Sequence, residues 1–300
     1  MKNVMTLYLL IVCSLTITAQ QYELKLNLKK GQHYTQSLTM NLSMAESISD
    51  QEVNISTSIQ FEIKESVKSI TKNGDFVLES EYSHIIVKVD AMGQKMAYDS
   101  NVKDTSGNEA MKTYTDAFGK ILDKKFIVTL SPKGKVIEIK GLKEILASMQ
   151  KGNIDAAARR LLEGTLDESK MTSNFESAYH IFPDKPVTIG DKWSQKSAFE
   201  TIFPMDITTT YTLKEVKDGI AQIAATADLS VKSDSIEANG TQMKINLTGS
   251  CIGMFTMNIN TGISTTSTLS MPMKGTMEIM GMEVPVSMNN DMLTTTTAVN

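Results

Sequence analysis

The sequence predicts an α+β fold dominated by β-structure: a large curved antiparallel sheet or incomplete barrel, built from two loosely repeated halves, with helices packed on its concave face. Three observations lead there. Apolar and polar residues alternate with a period of two along most of the chain, in several runs of more than ten residues. Helical periodicity is confined to two places, near residues 108–118 and 141–182. Motifs of the first half return, at altered spacing, in the second.

Residues 1–19 carry Lys2, an apolar run from Val4 to Leu15 and a Thr18-Ala19 exit. That is the pattern of a secretory signal peptide, so the chain is expected to be exported, periplasmic or extracellular, and to start at Gln20 or Gln21. An acyl anchor would use Cys13, but Val12 is bulky where such sites take a small side chain. No later run reaches the ~18 apolar residues of a membrane-spanning helix. Losing Lys2 takes the formal charge from -4 to -5, and mild acidity with no basic cluster argues against a nucleic-acid surface. Cys251 is the only cysteine beyond the leader, so no intramolecular disulfide is expected.

About 280 residues remain, enough for a single β-rich domain over 20–300, read as halves at about 20–140 and 183–300 joined by a helical insert at about 141–182. Tyr22, Leu24, Leu26 and Leu28 alternate with polar residues and predict a first strand; after Lys30-Gly31 the pattern resumes at Tyr34, Leu38, Met40, Leu42 and Met44. Val53, Ile55, Ile59, Phe61 and Ile63 share one face and Asn54, Ser56, Ser58, Gln60, Glu62 and Lys64 the other, a sheet with one wet side. Asn73-Gly74 and Ser131-Pro-Lys-Gly134 predict hairpin turns. Strands this long, apolar on one side only, must curl around something or close.

Helical stripes come next: Met111, Tyr114 and Phe118; then Leu142, Ile145, Leu146 and Met149. Asn153 can cap a helix ending at Gly164, and Thr165 with Glu168 forms a capping box for a third that carries Met171, Phe175 and Phe182. These helices are expected to fill the curved sheet.

In the second half Gly190-Asp-Lys-Trp193 echoes Gly31-Gln-His-Tyr34, and Phe255-Gly262 echoes Phe126-Gly134. From Met243 to Ile259 every second residue is apolar or glycine, and Gly249 and Gly253 are read as bends in a long strand. Met271, Met273 and Met277 share one parity, Met280-Gly281 turns the chain, and Met282, Val284, Val286 and Met288 share the next. Pro285 predicts an edge strand or a bulge there. Soft-metal capture would want a histidine or cysteine beside these thioethers, and no histidine follows His180. Inward methionines instead make a pliable apolar wall, or plain core.

Catalytic and cofactor motifs are absent: no HExxH, CxxC, GxSxG, phosphate loop or dinucleotide fingerprint. His33, His84 and His180 fall in separate elements. Neither metal nor cofactor is expected, nor catalysis.

LNLKKGQHY near the mature start, YDSN at Tyr98–Asn101, LDKKFIVTLSPKGKVIEIKG at Leu122–Gly141 and FPDKPVTIGDKW ahead of the second half resemble DUF6263, an uncharacterised family of exported bacterial proteins found mostly in Bacteroidetes. The resemblance implies no active site. A curved antiparallel sheet holding helices is similar, at fold level, to the LolA-like lipoprotein carriers. The expectation is a binding protein with an apolar site for a lipid, acyl chain or other hydrophobic molecule, with Met277, Met282, Met288, Phe175 and Phe182 as candidate ligand-contacting residues. The alternative is a structural or interaction module of the cell envelope with a solid core and a protein partner.

Overall fold

The computed structural model describes residues 20–48, 51–103, 109–150, 156–200, 204–238, 241–279 and 281–299, and everything below refers to these. Residues 1–19, Asn153 and Met280 lie outside them.

Twelve strands and four helices follow in chain order: β1 (His33–Ile48), β2 (Gln51–Ile70), β3 (Phe76–Ala91), β4 (Gln94–Asp99), α1 (Glu109–Phe118), β5 (Lys125–Leu130), β6 (Val136–Lys140), α2 (Leu142–Gln150), α3 (Ala156–Thr165), α4 (Glu168–Tyr179), β7 (Lys192–Glu200), β8 (Pro204–Lys217), β9 (Ile220–Ala238), β10 (Thr241–Asn258), β11 (Ser264–Ile279) and β12 (Met282–Val299). All the strands join one antiparallel sheet in the order β6-β5-β3-β2-β1-β12-β11-β10-β9-β8-β7, with β4 paired to the far end of β3. The sheet does not close on itself. Its two edge strands, β6 and β7, are consecutive in sequence, so the helices between them must cross the open seam.

Alternation becomes burial strand by strand. On β3, Phe76, Leu78, Ser80, Tyr82, Ile85 and Val87 are buried while their neighbours are wetter, the phase slipping by one residue at the irregularity opposite Glu62 and Ile63. A cluster built from sheet side chains alone, among them Ile207, Leu229, Val231, Ile245, Leu247, Met271, Met273, Met277, Val284, Val286 and Met288, is buried with no helix in it. A flat sheet would leave that face in water, so the sheet rolls until its own walls meet.

Turns follow their glycines. Gly74 (φ +89) turns β2 into β3, and Gly134 (φ +76) turns β5 into β6 with its α-carbon pressed to the Tyr179 carbonyl, where a Cβ would sit 1.8 Å from oxygen. Pairing of β10 with β11 lapses between Gly249–Met273 and Ile252–Ser270. Pro272 falls in that gap and has no amide to give, and Gly249 admits its carbonyl at a place where a Cβ would lie 2.1 Å away. β12 is central in the sheet. Pro285 nonetheless lies just beyond Val286, the last residue of β12 to pair with β1, so it meets a local edge.

Two expectations are corrected. Tyr22–Leu28 is no strand: a lone bridge pairs Tyr22 with Val187, and the rest runs as a strap across one mouth of the roll. Leu26 N–H donates to Pro132 O and Asn27 N–H to Thr261 O, both 2.8 Å, so the strap ties the β5–β6 turn to the β10–β11 turn while Leu24, Leu26 and Leu28 are buried. The alternation was real, but its partners are loop carbonyls rather than a ladder. The N-cap of α4 is Asp167, which accepts from Lys170 N–H at 3.0 Å, rather than Thr165.

Candidate functional site

Between the sheet and the helices lies a cavity of about 330 Å³. Its floor is the inward face of β1 (Gln36, Leu38, Met40, Leu42) and β2 (Thr57, Ile59, Phe61, Ile63), with Tyr82 of β3 and Met288 and Asn290 of β12 at its flanks. Its roof is the end of α3 (Gly164, Thr165) and one face of α4 (Lys170, Met171, Asn174, Phe175). The size and the apolar lining are those of a small-molecule site.

The roof is fastened at several points. Phe175 meets Phe126 edge-on at 6.2 Å, Glu176 accepts from Val136 N–H of edge strand β6 at 3.1 Å, and Tyr179 reaches down to Glu65. On the other edge, Trp193 Nε1–H donates to Ile181 O and Gln195 Nε2–H to Phe182 O. Trp193 also stacks on Tyr211 and so packs β7 against β8. So α4 and the residues after it satisfy both edges of the seam while covering the cavity.

Of the five residues singled out from sequence, Phe175 and Met288 line this cavity. Phe182 is buried in the helix-bearing core and Met277 in the sheet-only cluster; neither lines the cavity. Met282 is 60% exposed at the tip of the β11–β12 hairpin, which corrects the expectation of an inward side chain. It shares the parity of Val284 but lies past the last residue with a wall opposite. Sequence reasoning passed over Gln36, Asn290 and Lys170. The first two were detectable, because each breaks an apolar parity, Gln36 between Tyr34 and Leu38 and Asn290 between Met288 and Met292.

Next along β2 from the cavity, Glu65 is 2% exposed, opposite Tyr34 and Ser80. The Tyr179 hydroxyl donates to its Oε2 at 2.5 Å, while Oε1 and the Ser80 hydroxyl have no partner. Burial pushes this carboxyl up to about 7, the Tyr179 bond pulling the other way. The cavity lining itself holds no His, Cys, Asp or Glu. Cys251 is buried, its thiol pushed up to about 11 by desolvation, far from a nucleophile's state. His84 bonds Asp99 at 2.7 Å and holds that carboxyl below its usual range, away from the cavity. The arrangement can enclose an apolar molecule and offers no paired acid and base beside it.

No curated protein matches the chain. A solved structure that reports lipid–protein interactions in lipovitellin superposes with a TM-score of 0.51 at 10% identity, over 89% of this chain and 25% of that one; the present chain thus spans a quarter of its neighbour. Weaker likenesses, with TM-scores of 0.25 and 0.22, are to an outer membrane channel from Pseudomonas putida F1 (7% identity, 91% of this chain, 97% of that one) and to the beta domain of the Bordetella autotransporter Brka (8%, 89% and 99%). At such identities the lipovitellin match speaks for the fold alone, and the other two carry no argument. A family model matches residues 73–264, close to two thirds of the sequence, and the chain belongs to that family of unknown function, DUF6263.

Proposed function

We propose that this protein is an exported binding protein that holds a lipid, an acyl chain or a similar hydrophobic molecule between its rolled sheet and its helices, without catalysis. The observation that carries the reading is the 330 Å³ cavity floored by Leu38, Met40, Leu42, Ile59 and Phe61 and roofed by Met171 and Phe175. An apolar space of that size, left unfilled, forfeits dispersion contacts on all its walls, and an apolar guest restores them. The methionines beside it add a wall that adapts to varied shapes. Lipid–protein interactions in lipovitellin, on a similar sheet, are consistent with this use of the fold. Export rests on the leader-like pattern of residues 1–19.

Mass spectrometry on protein isolated gently from its host should find a co-purifying hydrophobic molecule, and Phe175→Trp with Met288→Trp should displace it by filling the cavity. Protein that carries nothing, and takes up no fluorescent fatty acid, would sink the proposal. The rival reading, an envelope interaction module, draws on Ile252, Met254 and Leu293, which are 62%, 40% and 42% exposed on the outer face. Cross-linking in intact cells from those positions would reveal a protein partner.

A further inference from the structure

Several polar side chains break the apolar lining, Thr57, Thr165 and the exposed Asn174 among them, and three, Gln36, Asn290 and Lys170, describe the guest. Gln36 and Asn290 are 7% and 9% exposed and line the cavity, yet neither amide has a hydrogen-bond partner among the described residues. Polar groups this deep in a fold are nearly always paired, so two amides that give onto the cavity point to a partner that occupies it. Lys170, in the roof, is the one charged residue of the lining and pairs with no described carboxylate.

The register fixes the distance between the amides. Asn290 lies opposite Leu42, and Leu42 is six residues along β1 from Gln36, which at 3.2–3.4 Å per residue is about 20 Å. Leu38 and Met40 lie between, so the cavity is a slot along β1 with an amide near each end. A slot of that length lets one extended hydrocarbon chain lie along β1. An extended chain advances roughly 1.2 Å per bond, as the three bonds of a residue advance 3.3–3.6 Å, so about sixteen bonds reach from end to end.

We infer that the slot takes a single-chain fatty acid bearing a hydroxyl at the end remote from its carboxylate. Lys170 neutralises the carboxylate, and whichever amide lies nearer to it shares that head. The other amide then faces the distal end, where a methyl would leave it unmade. A hydroxyl both donates and accepts, as an amide does. A second carboxylate would find no second cation in the lining.

This inference rests on the proposed binding role, and the test separates the two. Displacement of a fluorescent fatty acid from the full chain is measured with hexadecanoic acid, 16-hydroxyhexadecanoic acid, hexadecanol and a dipalmitoyl phospholipid. The hydroxy acid should bind about tenfold more tightly than hexadecanoic acid, because a buried polar group discriminates strongly against a guest that cannot pair with it. Hexadecanol and the phospholipid should bind more weakly than either acid. Lys170→Met should abolish the preference for acids over hexadecanol. One of Gln36→Leu and Asn290→Leu should erase the preference for the hydroxy acid while hexadecanoic acid still binds. Each of these two removes an unpaired polar group, so both variants should melt no lower than the parent and the result will not reflect misfolding. Equal affinity for the two acids, or tightest binding of the phospholipid, overturns the inference and leaves the binding role standing. No binding of any probe overturns both.

Discussion

Glu65 shows how much one side chain can set the conditions under which this molecule is stable. Its folded carboxyl titrates at about 7 against an ordinary 4.5, so between those values the folded protein holds a proton that the unfolded chain has lost. The stability tied to that proton is complete below pH 4.5, falls as pH rises and is gone above about 7, a loss of about 3 kcal/mol at 1.36 kcal/mol per pH unit. Melting temperature should therefore drop from pH 5 to pH 8, and Glu65→Gln should flatten the curve, with its advantage over the parent growing at the alkaline end. A parent whose melting temperature is level across that range would contradict the assignment. Methionine exposure gives a second check. Mild peroxide should oxidise Met282 about as fast as methionine in unfolded chain, and Met277, 5% exposed, far more slowly. Parity in the sequence told Met277 from its outward neighbours correctly, because that signal is local. It failed at Met282, because facing inward is useful only where another wall stands opposite, and no residue's own neighbours record that.

Among the elements, α4 carries the most consequence, since it roofs the cavity and serves both sheet edges. Phe175→Ala removes a ring that is 5% exposed, packed against Phe126 and Tyr179, and should cost about 3–5 kcal/mol in urea unfolding. A cost below ~1 kcal/mol would mean that α4 is held elsewhere and swings over the cavity as a lid. The stripes of α1 to α4 were readable, as were the long strands, since both periods are written in consecutive residues. The strap was not. Tyr22–Leu28 has the alternation of a strand, and only its partners, carbonyls of two distant turns, distinguish it from one. The cap of α4 was misplaced for a smaller reason: Thr165 and Asp167 are both good caps, and the last turn of α3 claims Thr165.

On the scale of the whole molecule, the roll is held shut by pieces that are not strands. The strap joins the turn at Pro132 to the turn at Thr261, and α4 joins β6 to β7. Leu24→Ala with Leu26→Ala should therefore raise amide hydrogen exchange at both turns together, though they lie far apart in sequence; a rise confined to one turn would show that the strap is no tie. The sheet order was the least legible feature, because it depends on pairings across the length of the chain. The pair at its centre, β1 with β12, brings His33 beside Val299. A chain emerging in order would have β1, β2 and β3 in place, with the inward flank of β1 unpaired, until every other strand had been made. That flank, the fourteen residues from His33 to Glu46 that β12 pairs with, is open ladder, apolar on one face, for nearly the whole of synthesis. Pairing of such large sequence separation is slow to form, and an open edge is prone to pair with other chains until β12 arrives. Loss of residues 282–299 should therefore drive edge-to-edge aggregation, seen by light scattering, with the strands on either side largely intact.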